Sequence, residues 1–271
     1  MGTMKMIDVI QIIVMALVQG VAEFLPISSS GHLCVLYDLF KQLGTELETS
    51  SLTLSIALHF GTLISIFVVY HARIWRFLTT ERRVIPMVLL ATIPATIVKV
   101  LIDDSVFENS LIAGICFPIT GLILLWCSDR SGNTICRDIS VKQALLIGLS
   151  QGVALFPGIS RSGTTICAGL LCGMKRDEAA TFSFMMAIPA IGGGALLETI
   201  DLLRKQSSGS SEAISHHGVF LLIFGAIISC VVGILALKLL IKWLEQGKLK
   251  YFAWWLFLLG PVVIVWRLFF A

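Results

Sequence analysis

Long apolar runs separated by short polar segments fill the sequence and predict a bundle of membrane-spanning helices. Six runs approach or exceed the ~20 residues that cross a bilayer as one helix, and they cover about 51–71, 84–102, 109–127, 178–202, 215–241 and 250–270. The remaining apolar runs form two pairs, each interrupted by proline, glycine and serine. These pairs cover about 7–24 with 32–40 and 141–156 with 162–173. Such a pair is typical of a re-entrant hairpin, whose irregular backbone is tolerated at membrane depth only inside protein or beside water.

One stretch of sequence occurs twice, once in each interrupted pair. Residues 17–31 read LVQGVAEFLPISSSG and residues 149–163 read LSQGVALFPGISRSG, with ten of fifteen positions identical at a constant offset of 132. Three spans follow each copy, so the second half enters the membrane from the opposite side. We therefore predict an all-α polytopic membrane protein with an inverted-topology repeat, each half a re-entrant helical hairpin plus three transmembrane helices. The alternative is two ordinary hairpins without mutual contact.

The predicted domain organisation is a single integral membrane domain over 1–271, with repeat halves of about 7–127 and 141–270. Charged residues make up 14% of the chain, against about 25% in a soluble domain. The net charge of +3 gives no indication of nucleic acid as a partner, and the lipid bilayer is the expected environment.

Basic residues cluster in polar segments that the predicted topology places on one side of the membrane. These segments are 72–83, 128–142, 174–178 and 238–250, and they hold thirteen basic residues against five on the other side. The positive-inside rule puts the richer side in the cytoplasm, so both termini are expected to face outward.

The two copies of the repeated stretch differ at the positions that carry chemistry. The first copy holds Glu23 and is followed by His32, whereas the second holds Leu155 and Arg161 at the positions of Glu23 and Ser29. An ionisable group at the centre of a span costs about 2.5–3.5 kcal/mol on insertion scales, so such a residue is a functional hypothesis by default. The acid and imidazole in one copy and the guanidinium in the other therefore predict a composite site.

Arg161 lies among hydroxyl residues at the expected start of a short helix. Ser160, Ser162 and Thr165 flank it, and a helix N-terminus favours an anion. Because a guanidinium can bond two phosphate oxygens at once, this segment predicts a phosphate or diphosphate site. An ion pair of Arg161 with Glu23 is an alternative compatible with that interpretation.

The first copy offers candidates for a nucleophile, a base and cation ligands. Ser28 and Ser29 lie at a helix start, where they either cap the helix or supply a nucleophile. His32, one turn after Ser29, is a candidate base or nucleophile. Glu23 could take a proton or, with Gln19 one turn before it, bind Mg²⁺ or Ca²⁺. The sequence leaves Ser29, His32 and an activated water open as the attacking group.

These two segments resemble motifs of a known family. Residues 19–32, QGVAEFLPISSSGH, resemble the (E/Q)xxxE…PxSSxGH motif of the bacterial undecaprenyl-diphosphate phosphatases, the bacitracin-resistance family. Residues 157–165, PGISRSGTT, resemble its second motif, PGxSRSxxT, and the apolar pattern fits from about residue 7 to the C-terminus. Gln19 stands where many members have glutamate.

The resemblance implies a multi-pass hydrolase of the bacterial inner membrane. Such an enzyme removes the terminal phosphate of undecaprenyl diphosphate, a prenyl diphosphate lipid, on the outer, periplasmic side, and this recycles the carrier lipid of peptidoglycan synthesis. The resemblance implies that Arg161 binds the diphosphate together with Ser28, Ser160, Ser162 and Thr165. Ser29 and His32 are the implied nucleophile and base. Glu23 and Gln19 support a divalent cation or the proton transfer.

Two other classes of membrane protein are possible in principle. A transporter or flippase of a phosphorylated prenyl lipid would share the inverted repeat and the phosphate site, but it would not need Glu23, Ser29 and His32. The membrane phosphatases with a histidine nucleophile are rejected, because the chain has no Arg-Pro pair and has Cys167 where their histidine should stand. A homodimer is a further hypothesis. His59, inside an apolar span, is interpreted as a packed or hydrogen-bonded residue.

Overall fold

The computed structural model describes residues 6–45, 51–102, 106, 109–207 and 216–270. Its α-helices are α1 (Met6–Ala22), α2 (Ser29–Gln42), α3 (Ser51–Thr79), α4 (Val84–Leu101), α5 (Ser110–Cys127), α6 (Val141–Val153), α7 (Arg161–Leu171), α8 (Arg176–Ser207), α9 (His216–Glu245) and α10 (Leu249–Phe269). A short 3-10 turn, Cys136–Asp138, precedes α6. Within the described ranges the regular elements are helical, which confirms the predicted all-α fold.

The six predicted spans are present, and six helices are long and apolar enough to cross a membrane. Their ends lie within five residues of the predicted ends except in α3, which continues past the predicted end at 71 to Thr79. Arginine is a good helix former, so Arg73 and Arg76 extend the helix, with Arg73 paired to Glu178 and Arg76 exposed to water.

Each interrupted pair forms a helical hairpin. The first joins α1 to α2 and the second joins α6 to α7, and a serine caps the second helix of each. Ser28 Oγ accepts a hydrogen bond from the Gly31 N–H, and Ser160 Oγ accepts one from the Gly163 N–H. The same offset of the repeat thus produces the same local structure, because a serine at N-cap satisfies an otherwise unpaired N–H of the first turn.

The halves of the chain interlock. Helix α1 packs against α9 and α6 packs against α4, so the first hairpin helix of each predicted half lies on a helix of the other half. Helices α5 and α10 form a further extensive pair. Two halves with the same repeated stretch are expected to pack against each other in this reciprocal way. The inverted orientation of the two halves in the membrane stays a prediction.

The outward faces of the helices are apolar. Helix α4 exposes Leu89, Ile93 and Ile97, which are spaced by one turn. Helix α9 likewise exposes Ile223, Ile227, Val231 and Leu235. Continuous apolar stripes of this kind are rare on soluble proteins. We conclude that lipid covers these faces and that the chain is a multi-pass membrane protein.

The basic segments gather at one end of the bundle. Arg73 near the end of α3 donates two hydrogen bonds of 2.8 Å to the Glu178 carboxylate at the start of α8. Arg176 donates to the Ser128 carbonyl at 3.0 Å, beyond the end of α5. At the opposite end, Ser110 donates to Asp38, which also faces Arg267.

Candidate active site

The tips of the two hairpins touch. A Cβ atom at Gly31 would lie 2.7 Å from the Gly158 nitrogen, so only glycine allows this approach. The Gly158 N–H donates to Ser28 Oγ at 3.1 Å, and Ser162 Oγ donates to the Leu25 carbonyl at 3.3 Å. Two hairpins without mutual contact are therefore excluded.

Two residues at the tips have backbone in the left-handed region. Gly158 has φ of 87°, which glycine adopts without a steric penalty. Ser28 has φ of 71° and ψ of 95°, an arrangement that costs a non-glycine residue roughly 1–3 kcal/mol. Its hydroxyl holds this conformation by accepting the N–H groups of Gly31 and Gly158. A strained residue at a hairpin tip thus joins the two halves.

Thr120 of α5 forms hydrogen bonds with the backbone of the second hairpin tip. Its hydroxyl donates to the Gly158 carbonyl at 2.7 Å and accepts the Ser160 N–H at 3.1 Å. The threonine is fully buried, so both bonds are shielded from competing water.

Glu23 is the centre of the polar cluster between the hairpins. One carboxylate oxygen, Oε1, forms an ion pair with Arg161 of the second hairpin. The other, Oε2, accepts from Ser29 Oγ at 2.7 Å and from Gln19 Nε2 at 3.0 Å. Glu23 and Arg161 of the predicted composite site are therefore brought together, and the ion pair expected as an alternative from the sequence is present.

A small cavity lies beside this cluster. Its volume is about 30 Å³. The lining residues are Ala22, Glu23, Ser28, Ser29, Ser30, Ala154, Ile159, Ser160, Arg161 and Ser162. Helices α2 and α7 both begin at residues of this lining, so the positive ends of two helix dipoles converge there. Such a cavity favours an anion with several oxygen acceptors.

Two buried polar atoms at the site have no hydrogen-bond partner within the described part of the chain. They are Arg161 Nη1 and Gln19 Oε1. A buried donor or acceptor without a partner costs about 1–3 kcal/mol, so an unpaired atom at such a site suggests a ligand. Arg161 Nη1 can donate to an anion, and Gln19 Oε1 can accept a donor or coordinate a cation.

The predicted cation ligands would supply only part of the coordination shell of a metal ion. Among the described residues, no group of three or more His, Cys, Asp and Glu side chains could hold a metal ion. Glu23 and the unpaired Gln19 Oε1 supply oxygen ligands, the type that Mg²⁺ and Ca²⁺ prefer. The remaining ligands would have to be water and phosphate oxygens.

His32 and Thr165 lie outside the cavity lining. The Thr165 hydroxyl contacts the Arg161 carbonyl at 2.7 Å and Ser183 Oγ at 2.6 Å, so it ties α7 to α8. His32 Nδ1 lies 2.8 Å from the Ser28 carbonyl oxygen, and Nε2 accepts the indole N–H of Trp255 at 3.2 Å. The catalytic and phosphate-binding roles of these two residues stay predictions.

The sequence did not reveal that His59 of α3 faces Glu23. Its Nδ1 lies 2.8 Å from the Ser55 carbonyl, which fits the interpretation as a hydrogen-bonded histidine. Its Nε2, however, lies 3.7 Å from Glu23 Oε2. The available signal was that an ionisable residue inside an apolar span is a functional candidate.

The fold and the site define a polytopic helical membrane protein with a buried, anion-favouring site where two helical hairpins meet. The chain belongs to the family described as Bacitracin resistance protein BacA, which matches residues 12–262. It is 40% identical over 265 residues to the Undecaprenyl-diphosphatase of Rhodopirellula baltica, across 96% of this chain and 99% of that protein. It is 34% identical over 287 residues to the Undecaprenyl-diphosphatase of Methanosphaera stadtmanae, across 96% and 98% of the two chains.

Proposed function

We propose that the protein is an undecaprenyl-diphosphate phosphatase, which hydrolyses undecaprenyl diphosphate to undecaprenyl phosphate and inorganic phosphate. The observation that carries this proposal is the Ser29 hydroxyl bonded to Glu23, whose other oxygen pairs with Arg161 beside a cavity at two helix N-termini. The family and the names of its close relatives support the same enzyme class.

Binding of the diphosphate follows from the donors around the cavity. Arg161 Nη1 is free to bond a phosphate oxygen. The hydroxyls of Ser160 and Ser162 lie beside it at the start of α7, and they would exchange their bonds to each other and to the Leu25 carbonyl for bonds to phosphate. A phosphate anion competes with Glu23 for the guanidinium. Binding would therefore loosen the ion pair and leave the Glu23 carboxylate more available to accept a proton.

The chemical step is an in-line displacement on the terminal phosphorus. Ser29 Oγ forms the new P–O bond while its proton passes to Glu23 Oε2, 2.7 Å away in the resting structure. The bond from this phosphorus to the bridging oxygen breaks, and undecaprenyl phosphate leaves with that electron pair. Arg161 and the two helix N-termini stabilise the charge on the transferred group.

Hydrolysis of the phosphoserine completes the cycle. A water molecule attacks the phosphorus, the P–Oγ bond breaks and Glu23 returns its proton to Ser29 Oγ. The phosphate leaves carrying both protons of the water. The Ser29–Glu23 hydrogen bond favours this chemistry over a transporter, because lipid movement needs no activated hydroxyl.

A divalent cation, Mg²⁺ or Ca²⁺, is proposed as a cofactor held by Glu23, Gln19 and phosphate oxygens. Such an ion would neutralise charge on the diphosphate.

The positive-inside rule supports placing the basic end in the cytoplasm of a bacterial inner membrane. The resemblance adds a site open to the outer side and a role in carrier-lipid recycling and bacitracin resistance. A homodimer is proposed as the assembly, with the mass of the protein in detergent as its test.

The test is phosphate release from undecaprenyl diphosphate by the purified protein in detergent. Wild type is compared with Ser29→Ala, Glu23→Gln and Arg161→Ala, and with Arg267→Ala at the far end of the bundle as control. We expect release by wild type and the control, and a loss of about 10²–10⁴-fold in Glu23→Gln. Parallel samples with Mg²⁺, Ca²⁺ or chelator test the cation. Full turnover by Ser29→Ala would reject the phosphoserine, and no release by folded wild type would reject the enzyme.

A further inference from the structure

Both ring nitrogens of His32 are engaged, and the partner of one fixes the tautomer. An indole N–H can only donate. Trp255 Nε1 donates to His32 Nε2 at 3.2 Å, so Nε2 carries the lone pair. The ring proton of the neutral imidazole is then on Nδ1, which donates to the Ser28 carbonyl at 2.8 Å. A chain of donors thus runs from Trp255 through His32 to the backbone of Ser28.

The imidazole is held on its faces and edges as well. Its ring lies edge-on to Phe117 with 5.1 Å between centroids, and nearly parallel to Trp255 with 6.3 Å between centroids. Phe117 is fully buried in α5, whereas Trp255 lies half-exposed on the outward face of α10. Contacts from α5, from α10 and from the Ser28 turn therefore fix the orientation of a ring that does not line the cavity.

The hydrogen bonds that run from Trp255 through His32 end at Ser28, whose backbone is strained. Ser28 has φ of 71°, and its carbonyl accepts both His32 Nδ1–H and the His32 backbone N–H, the latter at 3.2 Å. The next residue, Ser29, points its hydroxyl at Glu23. Fixing the Ser28 peptide therefore fixes the direction in which Ser29 leaves the turn.

We infer that His32 is a positioning residue, and that Trp255 positions it in turn. The inference rests on the proposed function, in which Glu23 accepts the Ser29 proton. His32 holds the Ser28 turn through Nδ1–H, and the Trp255 indole keeps that proton on Nδ1 by occupying Nε2. A lipid-facing side chain thereby sets the geometry of the nucleophile from outside the cavity.

Two amide substitutions separate positioning from proton transfer. The amide nitrogen of asparagine takes the approximate place of Nδ1 and that of glutamine the place of Nε2, and neither is a base. If His32 positions Ser28, His32→Asn keeps kcat within about tenfold of wild type, the size of one hydrogen bond. His32→Gln and His32→Ala then fall further. If His32 accepts the proton, all three lose about 10²–10⁴-fold.

Trp255→Phe tests the second link, with Trp254→Phe on the same helix as its matched control. Phenylalanine keeps the ring contact and removes the donor, so kcat should fall about fivefold, with KM unchanged. In ¹⁵N-histidine-labelled, substrate-free protein, the imidazole signals of His32, assigned by their loss in His32→Asn, should shift in Trp255→Phe and not in Trp254→Phe.

The outcomes are separable from those of the proposed function. The imidazole signals do not depend on turnover, so an inactive wild type would reject the phosphatase and leave the donor chain testable. A folded His32→Asn protein as inactive as His32→Ala, at equal thermal stability, would overturn the positioning role. If none of the imidazole signals of the five histidines shifted in Trp255→Phe, the role of the indole would be overturned, even if the His32 variants failed to fold.

Discussion

Gln19 and Gln151 occupy the same position in the two copies of the repeated stretch, yet only Gln19 bonds a carboxylate. Gln19 Nε2 donates to Glu23 at 3.0 Å. Gln151 is 2% exposed, and neither its Nε2 nor its Oε1 has a hydrogen-bond partner among the described residues. The position equivalent to Glu23 in the second copy is Leu155, which offers no acceptor.

Because of this difference, replacement by leucine should lower turnover at Gln19 and leave it unchanged at Gln151. Gln19→Leu removes a donor to Glu23 and should lower kcat/KM by about 10-fold to 100-fold, as loss of a supporting contact does at other sites. Gln151→Leu removes an unpaired buried amide and should leave turnover unchanged. It should also leave stability unchanged or raise it by up to about 1–3 kcal/mol.

Phosphate release and the thermal unfolding midpoint in detergent measure both effects. Equal loss of activity in Gln19→Leu and Gln151→Leu would show that the two copies contribute alike, contrary to this prediction.

The Glu23–Arg161 ion pair predicts that Arg161→Ala loses stability as well as activity. Removing one partner of a buried pair leaves an uncompensated charge and costs about 3–5 kcal/mol. The Arg161 side chain is 16% exposed and that of Glu23 only 5%. The double variant Glu23→Gln with Arg161→Met should recover stability but not turnover.

Unfolding and phosphate release are measured on the same samples. If the double variant is no more stable than Arg161→Ala, the loss comes from packing and not from the unpaired charge.

The backbone of Ser28 predicts an unusual ranking of two substitutions. Ser28→Ala and Ser28→Gly both remove the hydroxyl that bonds Gly31 and Gly158. Glycine, however, adopts φ of 71° without strain. Ser28→Gly should therefore be more stable than Ser28→Ala by about 1 kcal/mol. Paired thermal melts decide the matter, and an alanine variant as stable as the glycine variant would contradict the left-handed assignment.

The sequence predicts the helices and the meeting of Glu23 with Arg161, because the apolar runs and the repeated stretch are both visible in it. The length of each apolar run predicts a span, and the offset of 132 between the two copies is enough to place Glu23 and Arg161 in one predicted site. Ser28 is predicted as a cap or a catalytic group and does cap α2. Ser160 is predicted as a phosphate ligand, and the structure shows that it also caps α7.

Contacts between distant helices could not be predicted in the same way. That Trp255 of α10 reaches His32, 223 residues away, depends on how α10 is rotated against the first hairpin. The motif assigns Thr165 to the phosphate, yet its hydroxyl contacts Ser183 of α8. Periodicity gives the faces of a helix but not the identity of the helix that each face meets.

His59 gives a fourth prediction. Its Nε2 is 3.7 Å from Glu23 Oε2, too long for a hydrogen bond but close enough for a charge interaction. For a partly exposed pair this is at most about 1 kcal/mol, so His59→Gln should lower kcat by no more than about fivefold. His71→Gln, an exposed histidine of the same helix, is the matched control. A loss in His59→Gln as large as in Glu23→Gln would instead give His59 a direct part in proton transfer.

The partners of the Glu23–Arg161 bond are 138 residues apart in the chain. Ser29 and Glu23, the proposed nucleophile and base, are synthesised early with the first hairpin, but Arg161 is added only after α3, α4, α5 and α6. We therefore expect a chain that stops short of α7 to have no phosphatase activity. The site is complete only when the second hairpin has been synthesised, and insertion of the first helices is not sufficient.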